Sequence, residues 1–177
     1  AARKGTGRSA QADAIAPRAM HKVGVVGAGV MGGGIGQLVA HKGMHVYLKD
    51  IHHEAVTLGL RHARSLFDKA ARHGRLTERE VRERMDRISG GLDLHGLAGA
   101  DLVVEAVVEK MEVKKSVLTE TESQVSEHCV LTTNTSSLSV TEMSEALKRP
   151  DRFCGMHFFN PVDRMPLVEV IRTDHSS

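Results

Sequence analysis

Short apolar runs alternate with longer amphipathic segments along most of the chain, and each change of period marks a new element. The apolar runs predict strands at 22–26, 44–50, 102–108, 130–133, 153–158 and 167–171. The segments between them predict a helix ending at Gly43 and further helices at 53–72, 77–88, 113–126 and 138–147. This order predicts an α/β fold of the Rossmann type, with a doubly wound, mainly parallel sheet. The helices at 53–72 and 77–88 form a protruding pair, and Thr77 and Glu80 have the spacing of a capping box.

A glycine pattern joins the first predicted strand to the first predicted helix. Gly27, Gly29 and Gly32 follow the G-x-G-x-x-G spacing, with Val30 and Met31 between the last two. In a dinucleotide-binding turn the first glycine makes the turn, the second admits the pyrophosphate, and the third lets helix and strand pack closely. The unpaired N–H groups at the helix start favour an anion. The alternative is a glycine-rich turn that binds no ligand.

Asp50 closes the second predicted strand and lies about 20 positions after Gly29, as a dinucleotide-binding unit requires. A carboxylate there accepts hydrogen bonds from the adenosine ribose and repels the extra phosphate of NADP. The glycines and Asp50 together predict a site for NAD.

Composition indicates a soluble globular protein. The chain has 177 residues, of which 41% are hydrophobic and 26% charged, which suits one domain at 21–177. Residues 1–20 are rich in Ala, Arg, Ser and Gly; they are interpreted as a flexible tail or linker, although they faintly resemble a transit peptide. No apolar run predicts a membrane span or a secretory signal. Cys129 and Cys154 lie in apolar runs and are expected to be core residues in a reducing compartment.

Basic residues concentrate between Arg61 and Arg87, although the formal net charge is only +2. With 3% aromatic residues, the chain offers no stacking platform for nucleic acid. The basic segment could meet the phosphates of a small anionic ligand, or simply form solvated helix faces. No histidine spacing predicts a metal site.

Three polar residues fall near the carboxyl ends of predicted parallel strands, where ligands bind in such sheets. Glu105 interrupts an otherwise apolar run, Asn134 follows the strand at 130–133, and His157 lies near the end of the strand at 153–158. A charge inside a buried run either sits at the exposed strand end or marks a site. We therefore expect these residues to converge.

Four further segments carry a family resemblance: VVEAVVEKMEVKK, NTSSL, GMHFFNP and LVEVI. With GAGVMGGGI and LKDI they resemble the NAD-binding domain of L-3-hydroxyacyl-CoA dehydrogenases, over about residues 21–171. The pairing of HFFNP with LVEVI is highly specific. The GGGI and KDI details are similar to the version found in multifunctional fatty-acid oxidation enzymes. The resemblance implies oxidation of (S)-3-hydroxyacyl-CoA to 3-oxoacyl-CoA with NAD.

By this resemblance His157 is the general base and Glu169 its partner. Imidazole suits proton acceptance near neutral pH, and a carboxylate on its other nitrogen fixes the tautomer. Without Glu169, His157 would read as an ordinary hydrogen-bonded histidine. Ser136 resembles the serine that hydrogen-bonds the reacting oxygen of the substrate, and Asn160 the asparagine that shapes the pocket.

The resemblance also implies binding roles. Asn134 is expected at the cofactor, and Glu109 and Lys114 near the nicotinamide ribose; alternatively the latter two form an exposed pair with no role. Lys69, on the basic helix pair, could reach a phosphate of coenzyme A. The remaining histidines are expected at the surface.

Family members continue into a helical domain that closes over the acyl-CoA substrate and supplies much of a homodimer interface. This chain ends soon after Ile171, so it is expected to be the cofactor-binding portion, with little turnover alone. The expected location is the bacterial cytoplasm, with the mitochondrion or peroxisome as alternatives. Rival functions are a non-catalytic NAD-sensing or scaffold module and a dehydrogenase of a free 3-hydroxy acid.

Overall fold

A computed structural model describes residues 17–176 and contains a seven-stranded sheet in the order β3-β2-β1-β4-β5-β6-β7. The strands are β1 Lys22–Val26, β2 His45–Lys49, β3 Ile88–Gly91, β4 Leu102–Glu105, β5 Val130–Thr133, β6 Phe153–Phe158 and β7 Val168–Ile171. All neighbouring pairs are parallel except β6 and β7, which are antiparallel. The doubly wound, mainly parallel sheet predicted from the sequence is confirmed.

Five α-helices connect the strands of the described region. They are α1 Val30–His41, α2 His53–Arg72, α3 Glu78–Met85, α4 Met111–Glu122 and α5 Val140–Ser144. The capping box at the start of α3 is present, because Thr77 Oγ1 accepts from the Glu80 N–H at 3.2 Å and Glu80 Oε2 accepts from the Thr77 N–H at 2.7 Å. Two short 3₁₀ turns lie at His95–Leu97 and Pro150–Arg152.

Several predicted boundaries were wrong, and one strand was missed. The helix expected to run to residue 88 ends at Met85, and Ile88–Gly91 instead forms β3 at the sheet edge, paired with β2. The strand expected to reach residue 108 ends at Glu105, whose carboxylate accepts the Val107 N–H at 2.7 Å. Helices α4 and α5 are also shorter than predicted, ending at Glu122 and Ser144.

Apolar side chains form two cores on opposite faces of the sheet, since alternate residues of β1 point to opposite sides. Val23 and Val25 pack with Ile35 of α1 and Phe67 of α2. Val26 belongs to the other core, whose large members include Leu118, Leu131, Met143 and Phe153. Cys129 is buried and Cys154 is half-buried, and both are free thiols. Among residues 17–176, no helix is long and apolar enough to cross a membrane.

Most of the predicted tail, residues 1–16, lies outside the described residues. The last part of it contacts the domain through Arg18, whose guanidinium donates to the carbonyl oxygens of His128 at 2.9 Å and Asp101 at 3.0 Å. The Asp101 carboxylate in turn accepts the N–H groups of His21 and Lys22. Arg18 therefore holds residues 17–20 against the edge of the sheet where β1, β4 and β5 begin.

Candidate active site

In the turn between β1 and α1, packing or backbone conformation requires glycine at some positions but not at all of them. A Cβ on Gly32 would lie 1.8 Å from the Gly27 carbonyl oxygen, and Gly27 itself has a positive φ of 102°. Gly29 has an ordinary φ of −66°, and a Cβ there would meet nothing within 4 Å. Neither packing nor backbone conformation requires glycine at 29, so the open space beside it fits a ligand that approaches the helix N-terminus.

Asp50 lies directly after β2 and is bonded to the glycine turn. Its Oδ2 accepts the Ala28 N–H at 2.7 Å, and its Oδ1 accepts the Ile51 N–H at 2.7 Å. Because an ionised carboxylate has about four acceptor positions, both oxygens keep capacity for a ribose hydroxyl. The structure thus brings together the carboxylate and the turn that the sequence assigned to one cofactor.

A cleft of about 350 Å³ opens beyond the carboxyl ends of the central strands. Its lining residues are Met31, Ala106, Val107, Glu109, Asn134, Ser136, His157, Phe158, Phe159 and Asn160. Six of these were predicted as site residues from the sequence, and they come from four separate segments. The expected convergence at the strand ends is confirmed for Asn134 and His157.

His157 and Glu169 are directly opposite each other in the antiparallel β6–β7 pair. His157 Nδ1 lies 2.9 Å from Glu169 Oε2. A carboxylate can only accept, so Nδ1 carries the proton and Nε2 is left with a lone pair. The imidazole also packs against the Phe159 ring, with 4.4 Å between centroids. The arrangement presents one fixed tautomer of His157 to the cleft.

The loop after β5 is held by side chains on both of its sides. Asn134 Oδ1 accepts the Phe158 N–H at 3.0 Å, which ties the loop to the end of β6. Glu109 Oε1 accepts the Ser136 N–H at 3.0 Å and the hydroxyl of Thr135. Burial acts to raise the pKa of Glu109, but these hydrogen bonds and the positive charge of Lys114 outweigh it and lower the pKa below its ordinary value. Glu109 is therefore an anion at neutral pH.

Lys114 is fully buried, so the alternative of an exposed Glu109–Lys114 pair is wrong. Its ammonium lies 2.9 Å from Glu105 Oε1 and 3.5 Å from Glu109 Oε2. The side chain is 0% exposed and does not line the cleft. Its expected place near the nicotinamide ribose remains a prediction.

Comparison with known proteins places this site in a family. The family model for the 3-hydroxyacyl-CoA dehydrogenase NAD-binding domain matches residues 22–177. The chain belongs to that family. It is therefore an NAD-binding domain of Rossmann type, as the glycine turn and Asp50 indicated.

Curated relatives of this NAD-binding domain are much longer than the chain. The fatty acid oxidation complex subunit alpha of Psychrobacter cryohalolentis is 47% identical over 158 residues, which are 89% of this chain and 22% of the relative. The subunit of the same name from Pseudomonas savastanoi pv. phaseolicola is 48% identical over 165 residues, 93% of this chain and 23% of the relative. The chain thus spans less than a quarter of these relatives.

A solved relative has the same fold. The crystal structure of (S)-3-hydroxybutyryl-CoA dehydrogenase from Ralstonia eutropha superposes with a TM-score of 0.87 at 39% identity. The match covers 90% of this chain and 56% of that protein.

Lys69 of the NAD-binding domain already forms an ion pair with another side chain. Its ammonium donates to Asp163 Oδ2 at 2.9 Å, joining α2 to the turn between β6 and β7. Elsewhere on the basic helix pair, Arg64 and Arg79 pair with Asp68 and Glu83 one turn along. These contacts favour the interpretation of solvated helix faces for that part of the segment. A CoA-phosphate role for Lys69 remains a prediction.

Two features of the site were missed from the sequence. Gly59 lies in the middle of α2, and a Cβ there would be 2.5 Å from the Ala28 carbonyl oxygen in the glycine turn. A glycine inside a helix lowers the stability of the helix by about 1 kcal/mol relative to alanine. The unfavourable Gly59 in a predicted helix was therefore the sequence signal that could have indicated this close contact. Thr135, which donates to Glu109, carried no signal beyond its position in NTSSL. Within residues 17–176, no group of three or more His, Cys, Asp or Glu side chains could hold a metal ion.

Proposed function

We propose that the chain is the cofactor-binding portion of an NAD-dependent (S)-3-hydroxyacyl-CoA dehydrogenase of fatty-acid β-oxidation. The His157–Glu169 pair, with His157 on the cleft wall, carries this proposal, because oxidation of a secondary alcohol needs a proton acceptor beside the reacting carbon. A domain that only sensed NAD would need neither side chain. The name of the solved relative, a 3-hydroxybutyryl-CoA dehydrogenase, supports the acyl-CoA substrate class. The curated relatives are bacterial, and the bacterial cytoplasm is the location proposed with this function.

The polar groups of the site would divide the reaction among them. The 3-hydroxyl proton passes to the lone pair of His157 Nε2, and the Glu169 carboxylate stabilises the imidazolium that forms. Ser136 donates a hydrogen bond to the reacting oxygen, and Asn160 shapes the pocket around it. The hydride that leaves the same carbon would be accepted by NAD when it is bound. The glycine turn, Asp50, Glu109 and Asn134 would hold NAD.

A helical domain of the same parent protein is proposed to complete the site. The hairpin that carries His157 and Glu169 exposes several apolar side chains: Met165 at 40%, Leu167 at 55% and Val170 at 63%. Large apolar side chains exposed beside a cleft are consistent with a surface that another domain covers. The acyl-CoA would bind between the two domains, water would be excluded on closure, and the complete enzyme would be a homodimer.

Calorimetry and kinetics together test the proposal. The chain alone should bind NAD, bind NADP more weakly, and reduce acetoacetyl-CoA with NADH only slowly. Asp50→Ala should narrow the difference in binding affinity between NAD and NADP. Asp86→Ala, at a distant acidic residue, is the control.

The chain extended by its helical domain should reduce acetoacetyl-CoA rapidly. If the extended protein binds NAD but turns over no acyl-CoA, the chain is a sensor or scaffold; if it turns over only free 3-hydroxy acids, the substrate class is wrong.

A further inference from the structure

A buried ion pair lies behind the wall of the cleft. Lys114 and Glu105 are 0% and 1% exposed, and the Lys114 ammonium lies 2.9 and 3.1 Å from the two Glu105 oxygens. Taking two charges out of water costs several kcal/mol per ion, and a well-packed apolar pair of similar volume is often as stable. Stability of the fold alone therefore does not explain why charges occupy these positions.

The Lys114 ammonium also contacts each segment that forms this part of the wall. It donates to the carbonyl oxygen of Asn134 at 3.0 Å and lies 3.5 Å from the carbonyl oxygen of Val107. It lies 3.5 Å from Glu109 Oε2 as well. Asn134, Val107 and Glu109 all line the cleft. One buried cation thus links the loop after β4 to the loop after β5.

Glu105 is itself fixed by its neighbours. The hydroxyl of Thr133 donates to Glu105 Oε2 at 2.6 Å, and Thr133 lies opposite Glu105 in the β4–β5 register. The Val107 N–H donates to Glu105 Oε1 at 2.7 Å. With both oxygens held in this way, Glu105 defines where the Lys114 ammonium lies.

We propose that Glu105 is a positioning residue of the site, acting through Lys114 to hold Glu109 and Asn134 where bound NAD meets them. On this view Lys114 supports Glu109 and Asn134 from behind the cleft wall. Glu109 transmits the effect, because it receives the N–H of Ser136. The inference rests on the proposed function for the assignment of Glu109 and Asn134 to the binding of NAD.

The test separates positioning from stability with a double variant. Glu105→Gln and Lys114→Met should each lower the urea midpoint of unfolding, because each leaves a buried group without its partner. The double variant Glu105→Gln/Lys114→Met should recover most of that loss, since both charges are gone. It should still bind NAD roughly tenfold more weakly than the unchanged chain by calorimetry. The backbone amide resonance of Ser136 should shift in its NMR spectrum.

A neighbouring pair supplies the matched control. Lys115 Nζ lies 2.7 Å from Glu142 Oε1 on the outer side of α4, with half of the Glu142 side chain exposed. Lys115→Met/Glu142→Gln should leave NAD affinity unchanged. A Glu105→Gln/Lys114→Met variant that folds and binds NAD like the unchanged chain would overturn the inference, even if the single variants fail to fold. Because NAD affinity is the readout, this result is distinct from a failure of the extended protein to turn over acyl-CoA.

Discussion

His157 and Glu169 face each other across two antiparallel strands, with 2.9 Å between Nδ1 and the carboxylate oxygen. The side chain of Glu169 is 52% exposed while that of His157 is 19% exposed. The carboxylate thus reaches the imidazole from the open side of the hairpin. Strand pairing sets this geometry, so the orientation of the imidazole does not depend on a flexible loop.

This pairing predicts that substitutions of His157 and Glu169 lower kcat but leave NAD affinity nearly unchanged. In the extended protein, His157→Gln should lower kcat by roughly 10²–10⁴-fold, because the proton acceptor is lost. Glu169→Gln should lower kcat as well, since an amide can donate to Nδ1 and so favour the wrong tautomer. NAD affinity should change less than about twofold in both variants. His128→Gln, at an exposed position, serves as the control, and an unaffected kcat in His157→Gln would remove His157 from its role.

Gly29 and Gly32 should respond oppositely to an added side chain. Gly29 is the N-cap of α1 and has open space around it, so Gly29→Ser should leave the free energy of unfolding unchanged or raise it by about 0.5 kcal/mol. The same variant should weaken NAD binding by roughly tenfold or more, because the side chain occupies the approach of the pyrophosphate.

Gly32→Ala should instead destabilise the fold, by about 1–3 kcal/mol or more, since its Cβ would overlap the Gly27 carbonyl. Urea unfolding and calorimetry on the two variants measure both effects. Normal NAD affinity in Gly29→Ser would contradict the assignment of the open space to the cofactor.

The Lys69–Asp163 ion pair predicts that loss of the Lys69 charge has little effect on substrate binding. Lys69→Met removes a partly exposed ion pair, which is worth about 0–1 kcal/mol. Because the Lys69 ammonium already pairs with the Asp163 carboxylate, the KM for acetoacetyl-CoA in the extended protein should change less than about twofold. Arg64→Met, which removes a surface pair on the same helix, is the matched control. A tenfold rise in KM for Lys69→Met alone would mean that Lys69 exchanges Asp163 for a phosphate of the substrate.

The buried thiol of Cys129 should make the free energy of unfolding depend on pH in the alkaline range. Burial raises the pKa of its thiol to about 11, while in the unfolded chain the thiol ionises near its ordinary value. The folded state then keeps a proton that the unfolded state loses, so stability should fall as pH rises from about 9 to 11, by at most about 1.4 kcal/mol per pH unit.

Cys129→Ala should flatten that part of the pH profile. Urea unfolding of both proteins at several pH values isolates the thiol, since other groups that titrate there are common to both. Parallel profiles for the two proteins would show that Cys129 does not contribute.

Local elements were predictable where short-range physics decides them. The capping box at Thr77 needs only residues three positions apart, and the glycine turn only the end of one strand and the start of one helix. Strand β3 was missed because its sequence, Ile88–Gly91, has two glycines and little intrinsic strand preference. Pairing with β2 holds it in place, and that contact is remote along the chain.

The amino-acid sequence was enough to predict the fold class, the family, the NAD cofactor and the polar groups at the strand ends. These follow from periodicity, glycine spacing and motifs, which are properties of neighbouring residues. Three features became apparent only from the packing: the burial of Lys114 against Glu105, the ion pair of Lys69 with Asp163, and the open space at Gly29. Burial and distance depend on how remote segments pack, and no local pattern encodes them.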